Sequence, residues 1–404
     1  MSDLECLARY PFGEPTGLGI HPHHSACQSL GGLTRIRPPH GDDAWLVTRH
    51  EDIRAVLADR RFSRAVAVAR DEPRLAAVPL QTSVLSLDPP EHTSVRRLLA
   101  GALGFNGPRV AELRGTAQER CAHLIDGMIA QGAPADLAEH FAIPLTGEIT
   151  CELLGVPFAD RELFRDGLEA LASTLPEEVV GPRISALYAY IDELCAAGRA
   201  EAGDDVLGEL TRAREGDTRL SDDGFFTEVI SDLLLAGYYN TSTQLLNAVY
   251  LLLTHPDQLR LLEHDPELMP RAVEELLRYA PFPAHVTFAR YATEDVEIGG
   301  THVRAGEAVL VALPAGNFDE AAFENPEKLD LTRSKNTHLS FGHGLHHCLG
   351  GPLVRMLFQT ALSALLERLP DLRLAVPESE LPWQDSLELR RLQQLPVTWR
   401  QPRP

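Results

Sequence analysis

The sequence predicts a mainly α-helical fold with small β-sheets, built as one large domain of 404 residues. Helical periodicity dominates residues 91–280, and one of its helical patterns, from Ser221 to His255, is long enough to cross a whole domain. Chain length alone favours two or three domains, at about 150 residues each. However, no linker, low-complexity run or internal repeat divides the chain, so we interpret residues 1–404 as a single domain.

The first forty residues are rich in Pro, Gly and His, and we expect an irregular segment, 1–40, that wraps the surface. Its three neighbouring histidines are more typical of exposed side chains than of metal ligands: His21, His23 and His24. The next segments are predicted to be a strand, a short helix and a long loop without clear period, at residues 44–48, 50–58 and 65–86.

The remaining elements are predicted from the helical and strand periodicities of apolar residues. The long helix has Ser221 and Asp222 available as amino-terminal caps, and it ends before Pro256. Residues 290–313 alternate apolar and polar side chains around glycine turns, which predicts strands. Apolar residues after position 350 recur at helical spacing and predict a helix packed on the core, and residues 384–399 are interpreted as a closing hairpin.

Composition excludes several classes of protein. The chain carries 37 Lys plus Arg against 58 Asp plus Glu, a net charge of −21, which argues against nucleic-acid binding and against attraction to an anionic membrane. Its six cysteines form no CxxC pair, which is typical of a reducing compartment. Because there is neither a basic-then-apolar leader nor an apolar run that spans a bilayer, we expect a soluble, cytoplasmic protein.

One stretch is more informative than any other: residues 341–350 read Phe-Gly-His-Gly-Leu-His-His-Cys-Leu-Gly. The glycines allow the backbone to approach a flat ligand closely and leave amide N–H groups free to face the sulfur of Cys348. The positive end of the helix that follows acts in the same direction, and both effects favour the thiolate. A thiolate in such a loop suits an axial ligand of haem iron.

This stretch resembles the cysteine-ligand loop of the cytochrome P450 family, and the order of elements is similar to that fold from about residue 42 to residue 400. The resemblance is to the soluble bacterial type, haem-thiolate monooxygenases with a long central helix. It implies haem b with Cys348 as the iron ligand, a small organic substrate, and a role in secondary metabolism. Because the chain contains no reductase domain, it also implies electrons from NAD(P)H through a reductase and a ferredoxin-type donor. Candidate residues for a positive docking patch are Arg96, Arg97 and Arg355.

The resemblance assigns two further sets of residues. Glu275 and Arg278, three apart on one helical face, match the structural ExxR pair of the family, with Lys328 or Arg333 as its third partner. The haem propionates need cations or hydrogen-bond donors at their edge. The residues that match the family in this role are His92, Arg96, Arg290 and His346.

The middle of the long helix departs from the family pattern, which has Ala-Gly, one residue, an acid and then Thr. Ala236 and Gly237 keep room for dioxygen over the iron, but Tyr239 stands in place of the acid and Asn240 in place of the alcohol. Tyrosine has a pKa of about 10 and asparagine does not titrate, so proton donation at neutral pH is weakened. Thr241 takes the role of the alcohol if the helix bulges locally by one residue.

Two interpretations of Tyr239 and Asn240 stay open. Either water or a substrate group carries the protons, or oxidative coupling, ring formation or desaturation replaces ordinary hydroxylation. The sequence is also compatible with a haem-thiolate enzyme that uses peroxide directly or isomerises its substrate, and with a non-catalytic haem binder or gas sensor. Positions matching substrate contacts are Val84, Leu85, His285, Val286 and Gln394.

Overall fold

The structure is a computed structural model that describes residues 7–13, 17–79, 84–105, 107, 109–200, 203, 205–385 and 388–400. Its α-helices are α1 (His23–Leu30), α2 (His50–Ala58), α3 (Ala65–Val68), α4 (Glu91–Leu103), α5 (Arg109–Gln131), α6 (Ile143–Leu154), α7 (Arg161–Leu171), α8 (Glu177–Ala200), α9 (Val206–Ala213), α10 (Asp223–Leu234), α11 (Thr241–Thr254), α12 (Pro256–His264), α13 (Met269–Tyr279), α14 (Leu313–Asn317) and α15 (Gly351–Arg368).

The strands are short and lie mostly at the two ends of the chain. They are β1 (Ala8–Arg9), β2 (Thr34–Arg37), β3 (Ala44–Val47), β4 (Phe62–Ser63), β5 (Ala135–Asp136), β6 (Arg290–Ala292), β7 (Val296–Ile298), β8 (Thr301–Val303), β9 (Ala308–Val311), β10 (Arg373–Leu374), β11 (Trp383–Gln384), β12 (Arg391–Leu392) and β13 (Pro396–Thr398). The predicted class, mainly α with small sheets, is confirmed. Among the described residues, none of the helices combines the length and the hydropathy that a bilayer span requires.

The main sheet joins the amino-terminal strands to the strands of the 290–313 region, in the order β1-β2-β3-β9-β6-β4. The parallel pairing of β3 with β9 sets Ala44 opposite Ala308, although these residues are far apart in the chain. The antiparallel pairing of β9 with β6 sets Val309 opposite Arg290, the first residue of β6. The sheet therefore determines where the cationic side chain of Arg290 lies.

The long central helix consists of α10 and α11 joined by a π-helical turn, Leu235–Asn240. Asp222 caps its amino end by accepting a hydrogen bond from the backbone N–H of Phe225 at 2.8 Å. A π turn contains one more residue than an α turn, so it rotates the faces of α11 relative to those of α10. The bulge on which a role for Thr241 depends is thus present.

Three local predictions are corrected. Segment 1–40 is not irregular throughout, because it contains α1, β1 and β2, and β2 belongs to the main sheet. His24 is buried, and its Nε2 lies 3.3 Å from the hydroxyl oxygen of Tyr10, where packing rather than solvent surrounds it. No group of three potential metal ligands occurs in the part of the chain that the structure describes. The predicted loop 65–86 contains the short helix α3, and its residues 80–83 lie outside the described residues.

The predictions for the strand at 44–48, the helix at 50–58 and the strands within 290–313 are confirmed. The closing hairpin is confirmed in part. β11 pairs antiparallel with β12, but β13 leaves this pair and joins β5 and β10 in a separate sheet. The helix predicted after Cys348 is α15, which packs against α5 and α13.

Candidate functional site

The loop that carries Cys348 is held by backbone contacts. The N–H of Cys348 donates to the carbonyl oxygen of Phe341 at 2.9 Å, which closes the loop on itself. Gly342 and Gly344 both have a φ of 70°, a conformation that favours glycine. A Cβ on Gly344 would lie 2.2 Å from the carbonyl oxygen of Leu57 in α2, so only glycine allows this approach. The glycine pattern therefore places the cysteine against α2 and the start of α15.

The sulfur of Cys348 is exposed to a cavity and yet surrounded by protein. Burial raises the pKa of the thiol, and the backbone N–H groups of Gly350 and Gly351, at the start of α15, oppose that rise by hydrogen bonding to the sulfur. The positive charges of Arg96 and Arg355 act in the same direction as these N–H groups. The surroundings therefore supply several groups that stabilise a thiolate, the form in which cysteine binds a metal.

A cavity of about 490 Å³ extends between Cys348 and the π turn of the central helix. Its walls are mainly apolar. From the central helix they include Ala236, Gly237, Asn240 and Thr241, and from the cysteine loop they include Phe341 and Leu349. This cavity brings together residues separated by about a hundred positions in the chain, as a site for a flat cofactor and a small substrate requires.

Cationic and histidine side chains at this cavity form a cluster, here called the cradle. Arg96, Arg290 and His346 line the cavity, and His92 packs behind them against His346. The rings of His92 and His346 lie 4.4 Å apart between centroids. Arg96 donates to the backbone carbonyl oxygen of His347. Arg290 is 8% exposed and donates to the carbonyl oxygen of Phe288 at 3.3 Å. The four residues predicted to hold the propionates are therefore neighbours in space.

The cradle lacks anions of its own. Both ring nitrogens of His92 and Nδ1 of His346 are buried without a hydrogen-bond partner among the described residues. Burial lowers the pKa of Arg290 to about 9, and the charge of Arg64 adds to this effect. Burial, then the charge of Arg290, lowers the pKa of His346 to about 3. Such unpaired donors and excess positive charge fit the two carboxylates of haem, so the residues present fit this cofactor.

The ExxR residues form a second buried cluster, here called the brace. Arg278 donates to both carboxylate oxygens of Glu275 at 2.8 Å, and neither side chain is exposed. The third partner is Arg333, whose Nε donates to Glu275 at 3.0 Å, and Asn336 donates at 3.0 Å as well. Lys328 contributes only its backbone carbonyl oxygen, which accepts from Arg278 at 3.3 Å. The brace joins α13 to the segment before the cysteine loop.

The π turn determines which residues of the central helix face the cavity and which face the protein core. Thr241 lines the cavity, and its hydroxyl donates to the carbonyl oxygen of Ala236 at 2.9 Å. Because its hydrogen is engaged there, its oxygen presents an acceptor to the cavity. A Cβ on Gly237 would lie 2.8 Å from Cγ2 of Thr150 in α6, so this glycine also allows close helix packing.

Tyr239 does not line the cavity. It is 1% exposed, and the guanidinium carbon of Arg391 lies 4.4 Å from its ring centroid. Burial raises the pKa of Tyr239, and the charge of Arg391 opposes that rise. The interpretation of Tyr239 as a replacement for the acid beside the iron is therefore not supported by its position, because the π turn directs it to the core.

Of the five positions predicted to contact the substrate, three line the cavity and two do not. Val84, Leu85 and Val286 line the cavity. His285 does not, because its ring packs against that of Tyr10 at 6.2 Å between centroids. Gln394 does not either, because it is exposed beyond β12.

Many of the cavity residues were not predicted from the sequence, and two of them belong to the closing hairpin. Glu388 and Leu389 line the cavity between β11 and β12. The only sequence signal was the apolar Leu389 within the predicted hairpin, since an acid in a polar loop is usually exposed.

Comparisons with known proteins agree with this geometry. The sequence profile of the family described as Cytochrome P450 matches residues 264–385. Nocardicin C N-oxygenase of Nocardia uniformis subsp. tsuyamanensis is 46% identical, covering 96% of this chain and 98% of that protein. Mycinamicin IV hydroxylase/epoxidase of Micromonospora griseorubida is 44% identical, with the same coverage of 96% and 98%. The solved structure of HinD with NMFT and NO is 52% identical with a TM-score of 0.94, covering 98% of this chain and 100% of that one.

A thiolate loop, an unpaired cationic cradle and a cavity under a long helix define a haem-thiolate oxidoreductase. The chain belongs to the cytochrome P450 family, as its relatives over nearly its whole length show. Cys348, the iron ligand that the sequence predicts, lines the cavity.

Proposed function

We propose that this chain oxidises a largely apolar small molecule of secondary metabolism in the cavity between Cys348 and the π turn. The cofactor is haem b, and the electrons come from NAD(P)H through a reductase and a ferredoxin-type donor. The observation that carries the proposal is the convergence of the Cys348 sulfur, the unpaired cradle and Thr241 on one mainly apolar cavity. When bound, haem supplies oxygen activation and one-electron chemistry.

Each part of the chain has a stated task in this proposal. The N–H groups of Gly350 and Gly351 donate to the sulfur of Cys348 and favour its thiolate, the form that binds iron. The cradle binds the propionates, which supply the anions it lacks. Thr241 orients water by accepting a hydrogen bond, because its own hydrogen is donated to Ala236. Asn240 lines the same wall and adds a further donor and acceptor.

The position of Thr241 bears on which reaction is run. An alcohol lines the cavity, and in this proposal it orders a water that carries protons without Tyr239 or Asn240. This favours oxygen insertion over coupling or ring formation. The names of the two relatives, a hydroxylase/epoxidase and an N-oxygenase, denote oxygen insertion as well.

The ligand assignment is tested by the Soret band of the reduced, carbon-monoxide-bound protein. We expect the red-shifted band of thiolate ligation in the wild type and its loss in Cys348→Ser. A Cys121→Ser variant is the matched control, because Cys121 is buried in the core away from the cavity. A retained band in Cys348→Ser contradicts the proposal.

The proton role is tested by coupling of NAD(P)H use to product formation, with a surrogate ferredoxin system and a panel that begins with mycinamicin IV and nocardicin C. We expect Thr241→Val to divert about 10-fold more electrons to hydrogen peroxide, since acid–base assistance contributes about 100-fold or more. Thr241→Ser keeps the hydroxyl and is the control. Unchanged coupling in Thr241→Val contradicts the role of Thr241 in proton delivery. Turnover that needs only peroxide contradicts the proposal that electrons come from a ferredoxin-type donor.

A further inference from the structure

One carboxylate in the cavity wall has no part in the proposed chemistry. Glu388 lies between β11 and β12 and lines the cavity. Its backbone is fixed on two sides, since its N–H donates to the carbonyl oxygen of Ala172 at 2.9 Å and its own carbonyl oxygen accepts from the N–H of Ala284 at 2.8 Å. Ala172 also lines the cavity. The position of Glu388 is therefore built into the wall.

The other charges near Glu388 are engaged. Glu72, which also lines the cavity, pairs with Arg64 at 2.7 Å. Arg74 pairs with Asp71 at 2.5 Å. On the hairpin itself, Arg390 donates to the carbonyl oxygen of Gly17 at 3.0 Å. His285, on the segment that meets Glu388, packs against Tyr10, as described above.

Glu388 differs from these residues. Its carboxylate accepts a hydrogen bond from the backbone N–H of Ala76, and it forms no ion pair with any residue that the structure describes. Burial raises the pKa of Glu388 to about 7; the Ala76 N–H opposes this rise and the charge of Glu72 adds to it. Three acids line the cavity in the described structure. Glu72 pairs with Arg64 and Asp232 has an interaction of its own, whereas Glu388 is an acid without an ion pair in a mainly apolar wall. A buried charge without a partner is costly, and a ligand cation removes that cost.

We propose that Glu388 makes the cavity selective for substrates that carry a cationic amine, which pairs with its carboxylate while the apolar walls enclose the rest of the molecule. This inference rests on the proposed function, because it assumes that the cavity holds the substrate of the haem-loaded protein. It assigns to the residue a role in recognition and none in the chemistry at the iron.

The test uses the haem-loaded protein and two probes of equal shape. One is 4-phenylbutyl trimethylammonium, and the other is its uncharged isostere with a tert-butyl group in place of the ammonium. A quaternary ammonium has no lone pair, so it does not ligate the iron as a free amine does. The readout is the dissociation constant from the change in the Soret spectrum. We expect the wild type to bind the cation at least 10-fold more tightly than the isostere at pH 8.

The Glu388→Gln variant should bind the two probes equally, with the affinity for the isostere unchanged. The matched control is Glu380→Gln, which removes the same charge from an exposed position near the hairpin and should keep the preference. In the wild type the preference should fall as the pH drops from 8 to 6, because the carboxylate becomes protonated. The Gln variant should show no such dependence.

Equal binding of both probes by the wild type overturns the inference, and so does a preference that survives Glu388→Gln. Both results leave the proposed function intact, provided that the isostere changes the spectrum and the thiolate band is present. Absence of a spectral response to either probe contradicts the cavity as the substrate site, and the inference with it.

Discussion

Two buried clusters of charge, the brace and the cradle, lie close to the same cysteine loop and are built in opposite ways. In the brace, Glu275 accepts hydrogen bonds from two arginines and an asparagine, and the remaining nitrogen of Arg278, Nη1, donates to two backbone carbonyl oxygens. In the cradle, ring nitrogens of His92 and His346 are buried without partners in the described structure, and Arg290 meets only a backbone carbonyl.

The difference separates structure from function on physical grounds. A buried cluster whose charged groups are all paired within the chain stabilises the fold by itself. A cluster whose charged and polar groups lack partners within the chain is completed by a ligand that pairs with them, so those groups describe the ligand. Pairing, rather than burial, therefore distinguishes the brace from the cradle. Glu388 resembles the cradle in this respect, because it has no ion pair among the described residues.

The largest effect is expected in the brace. Glu275→Ala leaves Arg278 and Arg333 buried without their carboxylate, which should lower the free energy of unfolding by about 3–5 kcal/mol. Urea unfolding of the haem-loaded and haem-free proteins measures it. Glu267→Gln removes a charge from an exposed position just before α13 and is the control. A loss below about 1 kcal/mol in both forms would show that the brace is not structural.

Arg290→Leu, unlike Glu275→Ala, should not lower the free energy of unfolding of the haem-free protein. The reason is that it removes a buried cation that forms no ion pair among the described residues, although the charge of Asp88 acts on it. Haem affinity, in contrast, should fall about 10- to 100-fold, because a charged hydrogen bond of about 1.5–3 kcal/mol is lost. Haem transfer to an acceptor protein measures the affinity, and Arg290→Lys should retain part of it. Destabilisation of the haem-free protein without loss of haem affinity would place Arg290 with the brace.

A smaller effect is expected at Glu274, which connects α13 to α15. Although burial opposes it, hydrogen bonds from His338 and Arg355 lower the pKa of Glu274 to about 2. The folded carboxyl therefore holds its proton less tightly than the unfolded one. The stabilisation is present above about pH 4.5 and is lost as the pH falls towards 2.

Glu274→Gln should accordingly lower the free energy of unfolding at pH 7 by about 1–3 kcal/mol, and the difference from the wild type should shrink as the pH falls below 4.5. Unfolding midpoints at pH 7, 5 and 3 measure it. A difference that does not vary with pH would mean that the variant acts through packing and not through charge.

Local patterns were sufficient for the parts of the site that depend on neighbours in the chain. The spacing of Phe341, the glycines and Cys348 predicted the thiolate loop, because each of those residues acts on the backbone within ten positions. The spacing of Glu275 and Arg278 predicted an ion pair on one helical face for the same reason. The choice between Lys328 and Arg333 stayed open, because the path of the segment before the loop decides which side chain reaches the acid.

Predictions failed where the direction of a side chain depends on distant structure. Tyr239 was placed beside the iron on regular helical spacing, whereas the π turn directs it to Arg391. His285 and Gln394 were chosen by position, and packing against Tyr10 and exposure to solvent remove them from the cavity. Glu388 carried no sequence signal, since an acid that faces a cavity and one that faces solvent look alike in a polar loop.

The sequence by itself determined the mainly α fold and the haem-thiolate class, and it predicted Cys348 as the iron ligand, because these depend on short-range spacing and backbone conformation. Only the tertiary structure decided which face of the central helix meets the cavity and which buried charges lack partners. Pairing and burial depend on contacts between segments that are far apart in the chain, such as those that contain residues 92, 290 and 346. No local sequence pattern predicts such contacts.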